Sequence, residues 1–327
     1  MSVIGLPSLW VAKMEIDMNR RNFNKILLGS TARVAIGGGL LHAPFRAFGQ
    51  SRPKPNSIIN GVSMGLQPFC YHDLAIADYN RGILIDRMVQ NGISIVELHA
   101  GWVEPVFRNG EISAEQAREK LTQWRLNTPL SFYQKVKEEF DEAGITIFTY
   151  YAGPNMTTPA AEIDAIYEGA KALGAKGVVG SYGQAVAARL APFPGKHGMF
   201  GGLHNHDNLS DPDAFSNEES FVKGLALSPD FKATLDVRHF TAGNGDCLGF
   251  LERHHDRVSS VHLGDRRRNN GHSTPFGQGD APIVEILRMI RDNKWPIVAL
   301  LEFEHGTLRS GVEEVQIQLD YCKRALA

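Results

Sequence analysis

The sequence predicts an α/β fold, and within that class a single-domain (β/α)8 barrel. Eight apolar runs of strand length alternate with amphipathic runs of helix length from residue 58 to the end of the chain. The first run is followed by Gln-Pro-Phe-Cys-Tyr-His-Asp-Leu (67–74), without the glycine-rich turn that an open doubly wound sheet uses to hold phosphates. Four of the later runs end on an acid or a histidine, at His204, Asp236, His262 and Glu302.

These four end residues are separated by 32, 26 and 40 residues, each about the length of one strand and one returning helix. Because helical segments separate the strands, the pairing is expected to be parallel with right-handed crossovers. In a closed barrel the carboxyl ends of the strands converge on one mouth. The predicted strands are 60–67, 93–98, 145–151, 176–181, 199–204, 231–236, 258–263 and 297–302.

The helices between the strands are predicted from periodicity and from their start and stop signals. Residues 131–144 place apolar side chains on one stripe and end at a glycine. Residues 160–173 follow Thr157-Thr158-Pro159, which offers a capping hydroxyl and a proline in the first turn. Asp211-Pro212-Asp213 is expected to open another helix in the same way.

The composition indicates a globular protein, and the net charge argues against two classes of binding partner. The chain has 327 residues, 43 % of them apolar, which accommodates one barrel of about 250 residues. A net charge of −2 gives no reason to expect a nucleic acid or an anionic membrane surface as partner. The three cysteines show no Cys-x-x-Cys spacing and are interpreted as packing groups.

The N-terminal 49 residues are predicted to be an export leader. Asn-Arg-Arg-Asn-Phe-Asn-Lys (19–25) precedes a mildly apolar stretch at 26–45, a pattern that resembles a twin-arginine signal, and Ala47-Phe48-Gly49 offers a cleavage point. Met18 is an alternative start. Residues 50–57 form a polar linker, and outside the leader no 18-residue apolar segment predicts a membrane span. We expect a periplasmic protein, or a cytoplasmic one if the leader does not function.

Carboxylates at two strand ends are candidate metal ligands. Glu302 directly follows a buried run, and a buried carboxylate costs several kcal/mol unless an ion or a cation compensates it. Glu304 shares its face and is the alternative. Asp236 ends the sixth run and supplies a hard anionic oxygen, with His239 three residues on as a ligand or as a donor to substrate oxygen; we assign Asp236 to the metal and His239 to the substrate.

Histidines complete the candidate metal set, and a further carboxylate is a candidate base. His262 ends the seventh strand; on the fifth, His204 and His206 face the same way by alternation, and one of them is expected to be a ligand. Glu97 lies at the tip of the second strand, across the mouth, where a general base is needed. Catalytic roles are assigned to Glu97, Glu302 and His239.

Several side chains around the predicted mouth suit a polar, ring-shaped ligand. An indole can stack on the apolar face of a sugar, and arginines after the seventh strand can reach hydroxyl, carboxylate or phosphate groups. The glycine-rich loop 269–280 is expected to form a mobile cover that closes with Phe276. The predicted substrate-binding residues are His99, Trp102, His206, His239, Asp265, Arg266 and Arg268.

Together these strings resemble the xylose isomerase-like TIM barrel superfamily, over about residues 58–327. The resemblance rests on Asp236-x-x-His239, on His262-x-x-Asp265 followed by Gly-Gln-Gly-Asp (277–280), and on the final Glu302. It implies one Mn, Mg, Co or Zn ion, bound in such enzymes by a Glu, an Asp, a His and a Glu from strands five to eight. Here the fifth-strand position is His204, which departs from that pattern and leaves the ion more cationic.

The resemblance implies a sugar isomerase or epimerase that removes a proton next to the carbonyl of a ketose or keto-sugar. Elimination from an inosose or a 3-keto-glycoside is the main alternative, because His204 replaces one of the paired acid/base carboxylates. A non-catalytic sugar-binding barrel and an endonuclease IV-like hydrolase are lesser alternatives; the hydrolase needs about three zinc ions and a basic surface. The expected partner is a small carbohydrate, and a homo-oligomer is left open.

Overall fold

A computed structural model describes residues 54–74, 80–107 and 112–327, and these form the predicted (β/α)8 barrel. Eight parallel strands pair in chain order, and β1 pairs with both β8 and β2, so that the sheet closes on itself. The barrel strands are β1 (Val62–Leu66), β2 (Ile95–His99), β3 (Thr146–Tyr151), β4 (Gly177–Gly180), β5 (Phe200–His204), β6 (Phe231–Asp236), β7 (Val258–Leu263) and β8 (Val298–Leu301).

Helices surround the barrel, and three short strands lie outside its wall. Ile58–Ile59 pairs antiparallel with β1, and Asp265–Arg266 pairs antiparallel with Ser273–Thr274 in the loop after β7. The helices are α1 (Arg81–Asn91), α2 (Ala114–Asn127), α3 (Leu130–Ala143), α4 (Ala160–Ala172), α5 (Gln184–Leu190), α6 (Phe193–His197), α7 (Glu218–Ala226), α8 (Val237–Ala242), α9 (Cys247–His254), α10 (Ile283–Asn293) and α11 (Gly311–Leu326).

All eight predicted strands are present, because each apolar run is buried between the barrel interior and the helices. The predicted helices at 131–144 and 160–173 correspond to α3 and α4. The first turn of α4, however, begins at Pro159 without a side-chain cap. The hydroxyl of Thr158 instead accepts the backbone N–H of Asn155 in the preceding turn.

The prediction of a helix opening at Asp211-Pro212-Asp213 is wrong. Asp211 accepts the backbone N–H of Asp213 in a local turn, and Asp213 accepts the backbone N–H of Ala185 at the start of α5, so neither carboxylate caps a helix that begins here. Helix α7 begins later, at Glu218, where Asn217 forms a reciprocal capping box with Ser220. The segment after β5 is therefore a long loop at the mouth of the barrel.

A buried ion network fastens α2 to the barrel wall. Arg125 donates to both carboxylate oxygens of Glu104 and to Glu162, at 2.7–3.1 Å. The Tyr150 hydroxyl of β3 donates to Glu104 as well. Burial opposes the charge of Arg125, yet the two carboxylates keep its pKa above the ordinary value. The network therefore connects α2 with α4, with β3 and with the segment that follows β2.

The predicted leader (1–49) and most of the predicted linker lie outside the described residues. Within the described ranges, no helix combines the length and apolar character needed to cross a membrane.

Candidate metal centre and active site

The carboxyl ends of β5 to β8 bring the four predicted metal ligands together. One donor atom from each of His204, Asp236, His262 and Glu302 lies within 4.8 Å of the others, and all four residues are buried. Strand register explains this: Asp236 pairs with His262, which pairs in turn with Leu300 of β8. Glu302 is two residues beyond Leu300 and therefore points to the same side.

The cluster suits a divalent ion. Within the described residues, His204 Nδ1 is buried and has no hydrogen-bond partner, and His262 Nε2 is buried and faces only a carboxylate, that of Glu97. Burial, together with the neighbouring His262 and His206, lowers the pKa of His204 well below its ordinary value, which keeps the imidazole neutral as a ligand must be. Two nitrogen and two carboxylate donors match the preference of Zn or Mn better than that of Ca.

Glu97 forms part of the same buried group. Its Oε1 lies 3.1 Å from His262 Nε2, and its Oε2 accepts the Thr149 hydroxyl at 2.8 Å. His262 Nδ1 lies 2.6 Å from Glu302 on its other side. Burial opposes protonation of His262, but the two carboxylates outweigh it and raise its pKa well above the ordinary value. A metal ion that binds here therefore displaces a proton from His262.

Asp236 is held by groups that sequence reasoning did not assign. Asn205 accepts the backbone N–H of Asp236 at 2.7 Å and donates to its carbonyl at 3.1 Å. The carboxylate caps α8 by accepting the backbone N–H of His239, and it also accepts a hydrogen bond from Arg238 at 3.0 Å. Burial opposes ionisation of Asp236, but Arg238 and His239 keep its pKa far below the ordinary value. Asn205 and Arg238 thus fix this ligand in place.

Arg238 is a buried cation beside the metal cluster. It is 1 % exposed, and its Nη1 lies 2.7 Å from Glu304, a half-exposed carboxylate at the mouth. Burial opposes its charge, while Asp236, Glu302 and Glu304 raise its pKa. Glu304, the alternative ligand, therefore pairs with Arg238, and Glu302 joins the cluster. The sequence does hold a signal for this role of Arg238, because the arginine lies between the two predicted functional residues of Asp236-Val-Arg-His239.

One wall of the mouth is polar. Asp207 bridges His239 Nδ1 at 2.9 Å and Arg266 at 2.8 Å, and the hydrogen bond with His239 lowers the pKa of Asp207. His239 Nε2 lies 3.1 Å from His206 Nδ1, and His206 Nε2 lies 2.8 Å from the Ser181 hydroxyl. A continuous hydrogen-bonded chain thus leads from β4 to the loop after β7. The sequence identified His206, His239 and Arg266 but missed the residues that connect them.

Two predicted substrate residues after β7 have other partners. Asp265 is buried, and its carboxylate accepts the backbone N–H groups of Gly277, Gly279 and Ala281. It therefore shapes the loop 269–280 rather than facing the mouth. Arg268 is exposed and donates to the carbonyl of Gly245.

Phe276 does not cover the mouth as predicted. Its side chain is buried and meets Tyr321 of α11 edge-on, at 5.7 Å between ring centroids. Asp265 holds the residues that follow, because Gly277, Gly279 and Ala281 donate to its carboxylate. Phe276 therefore anchors this loop to the outer helical layer.

The other wall of the mouth is aromatic. The ring of His99 stacks on Tyr151 at 5.2 Å, and Tyr151 meets His204 edge-on at 6.3 Å. Phe69, in the loop after β1, contacts His99 edge-on at 5.4 Å and is 53 % exposed. Trp102 is 4 % exposed and belongs to the hydrophobic core, so it does not present the open face that was predicted for it. Phe69 presents that face instead.

Comparison with known protein families identifies the same barrel family that the sequence motifs resemble. A model of the xylose isomerase-like TIM barrel family matches residues 85–325. Among curated proteins, none matches significantly.

Solved structures share the fold at low identity. The chain is 13 % identical to a probable 3-DHS dehydratase, AsbF, involved in petrobactin synthesis in Bacillus anthracis, covering 79 % of this chain and 98 % of that one with a TM-score of 0.58. D-Psicose 3-epimerase from Clostridium cellulolyticum H10, solved with D-tagatose, is 13 % identical to this chain. The match covers 81 % of this chain and 99 % of the epimerase, with a TM-score of 0.58. The IolI protein, solved with a zinc atom, is 13 % identical to this chain. The match covers 81 % of this chain and 96 % of IolI, with a TM-score of 0.55.

By its family match, this chain belongs to the xylose isomerase-like TIM barrel family.

Proposed function

We propose that this protein is a divalent-metal-dependent sugar isomerase or epimerase that removes a proton next to the carbonyl of a ketose or keto-sugar. The observation that carries the proposal is the convergence of four buried donors within 4.8 Å, with the buried carboxylate of Glu97 beside them. A carbohydrate substrate agrees with the hydroxyl, imidazole and aromatic groups around the mouth. The epimerase and the dehydratase among the solved structures have the same fold.

A divalent ion held by His204, Asp236, His262 and Glu302 supplies Lewis acidity toward a sugar carbonyl. We assign proton removal to Glu97. Its Oε2 is fixed by Thr149, and its Oε1 faces His262 Nε2 at 3.1 Å. Once His262 has lost its proton to become a metal ligand, that nitrogen no longer donates to Oε1, and the Oε1 lone pair is free to take a proton from the substrate.

The polar wall orients the substrate in this scheme. Ser181 and His206 are exposed at its outer end and hold substrate hydroxyls. Asp207 and Arg238 position His239 behind them. Glu302 is the second acid/base carboxylate. Delivery of a proton by Glu302 to the opposite face of the same carbon gives an epimer, and delivery to the former carbonyl carbon, with the neighbouring hydroxyl becoming the new carbonyl, gives an isomer.

Elimination from an inosose or a 3-keto-glycoside is the second candidate. It is favoured by one feature of the cluster, the imidazole of His204 at the fifth-strand position where the resemblance leads us to expect a carboxylate. Paired proton transfer then depends on Glu97 in place of a fifth-strand carboxylate, whereas removal of one proton followed by loss of a β-substituent needs only one base.

The lesser alternatives have less support. An endonuclease IV-like hydrolase would need more ligands than the one His/Asp/His/Glu group found among the described residues, and a net charge of −2 does not suit DNA. A non-catalytic sugar-binding barrel would have no need for this buried ligand set. We further propose that the protein acts in the periplasm after twin-arginine export.

Incubation of the metal-loaded protein with ketoses, inososes and 3-keto-glycosides in D₂O tests the proposal. Deuterium incorporation without cleavage supports isomerisation or epimerisation, loss of a substituent supports elimination, and neither outcome on any member of the panel contradicts proton abstraction. Glu97→Gln should retain the metal and lose exchange. Glu304→Gln is the matched carboxylate variant: if it abolishes exchange while Glu97→Gln does not, the assignment of the base to Glu97 is wrong. If Asp236→Ala leaves metal content unchanged, the metal-centred proposal fails.

A further inference from the structure

We propose that the mouth contains a second ring-binding subsite, formed by Phe69 against His99, and that the substrate is a two-ring keto-glycoside with a neutral second ring. This inference rests on the proposed function, because it takes the first ring to be a sugar bound at the metal cluster. It concerns the part of the substrate that does not react.

A row of rings leads from the metal cluster to solvent. His204 is a metal ligand, Tyr151 contacts it at 6.3 Å, His99 stacks on Tyr151 at 5.2 Å, and Phe69 follows at 5.4 Å. His204 is 4 % exposed, Tyr151 and His99 are partly exposed, and Phe69 is 53 % exposed. The row therefore leads from the reacting centre to the rim of the mouth.

The position of Phe69 at the outer end of this row suits a ligand larger than one sugar. Phe69 is separated from His204 by two other rings, Tyr151 and His99, so a sugar ring that stacks near His204 does not use the exposed face of Phe69. A second ring joined through a glycosidic bond reaches His99 and Phe69. A monosaccharide would leave the exposed aromatic face of Phe69 in water.

The local structure presents Phe69 rigidly. Pro68 opens a 3₁₀ turn at Pro68–Cys70, and the side chain of Gln67 accepts the backbone N–H of Phe69 at 2.8 Å. His99 is fixed likewise, because its Nδ1 accepts the backbone N–H of Gly101 at 3.1 Å. Preordered aromatic surfaces bind rings at little entropic cost, through apolar contact and stacking.

The charges at the mouth favour a neutral second ring over a phosphorylated one. Arg266 pairs with Asp207, and Arg238 pairs with Asp236 and Glu304. A phosphate group would have to compete with these carboxylates for both guanidinium groups. The surface next to Phe69 offers the ring of His99, whose pKa is lowered by burial and whose imidazole is therefore neutral.

Calorimetric titration of the metal-loaded full chain with matched methyl and phenyl glycosides of glucose, galactose and xylose tests this inference. These probes carry no ketone, so binding is measured without turnover. We expect the phenyl glycoside of at least one sugar to bind roughly tenfold more tightly than its methyl partner, the size of one aromatic contact. Phe69→Ala should reduce that ratio to about twofold or less, and Phe69→Trp should preserve it.

Ile317→Ala is the matched control, because Ile317 is 45 % exposed on α11, outside the row of rings. It should leave the ratio unchanged. The inference is overturned if methyl and phenyl glycosides bind equally, if Phe69→Ala keeps the ratio, or if glucose 6-phosphate binds more than tenfold tighter than methyl glucoside. Binding of no glycoside at all would contradict the proposed sugar substrate as well, which separates the two failures.

Discussion

Replacement of Arg238 by methionine should destabilise the metal-free protein strongly. Arg238 is 1 % exposed and pairs with Asp236 at 3.0 Å and with Glu304 at 2.7 Å, beside the further buried carboxylates of Glu302 and Glu97. Methionine keeps much of the apolar stem but removes the cation. Loss of one partner of a buried ion pair costs about 3–5 kcal/mol, because the remaining charge stays buried and uncompensated.

The effect can be measured by thermal unfolding in EDTA and then in a series of Mn²⁺ or Zn²⁺ concentrations. For a domain of this size, about 3–5 kcal/mol corresponds to a loss of roughly 6–20 °C in Tm. The metal should restore more stability in Arg238→Met than in the wild type, because the variant site is more negative and binds a cation more tightly. A metal ion at a hundred times its Kd raises the free energy of unfolding by about 2.7 kcal/mol in any protein that binds it. The quantity to compare is therefore the stability gained on adding metal, in the variant and in the wild type.

Arg253→Met is the control, because Arg253 makes a bidentate pair with Glu218 on the surface, with half of its side chain exposed. Such pairs contribute little, so its Tm should stay close to that of the wild type with or without metal. If Arg238→Met loses no more stability than Arg253→Met, the buried cation is not needed to balance the cluster. If the metal increments of Arg238→Met and the wild type are equal, the electrostatic coupling between Arg238 and the metal site is refuted.

Three further changes test the surroundings of the site. Asp207→Asn should lower kcat at least tenfold with little change in metal affinity, since it removes the charge that orients His239. The pKa of Asp207 is lowered in the fold, so its contribution to stability is present above about pH 4 and is lost as the pH falls toward its folded pKa; urea unfolding should show a flatter acid dependence in the variant. Asn205→Ala should weaken metal binding by about 10–100-fold, measured by competition with a chelator, because Asp236 loses both backbone hydrogen bonds. Arg125→Met should cost about 3–5 kcal/mol in urea unfolding regardless of metal, and a metal-dependent loss would show that this network is coupled to the site.

The residues that the sequence predicted most securely are those whose position follows from strand ends. His204, Asp236, His262 and Glu302 each terminate an apolar run, and a parallel barrel brings such ends to one mouth, so their meeting could be anticipated without coordinates. Glu97 lies beside them for the same reason.

Residues in the loops after the strands were harder to assign, because their partners come from other loops. Phe276 looked like a cover but packs against α11, and Trp102 looked like a stacking platform but is buried in the core. Asp265 has the spacing of a substrate ligand, yet three backbone N–H groups occupy its carboxylate. Nothing in the local pattern distinguishes these outcomes, since each depends on which neighbour approaches.

The sequence by itself determined the barrel, its eight strands and the four residues of the candidate metal site, because hydrophobic periodicity and strand length are local properties that fix which residues end each strand. Only the tertiary structure decided which charges balance these four residues and which side chains surround them. Arg238 lies between Asp236 and Glu304, a hydrogen-bonded chain joins Ser181 to Asp207, and the aromatic row ends at Phe69. These depend on side chains from separate loops that meet within hydrogen-bond or ring-contact distance. Such meetings are set by the packing of the whole barrel, which no single segment encodes.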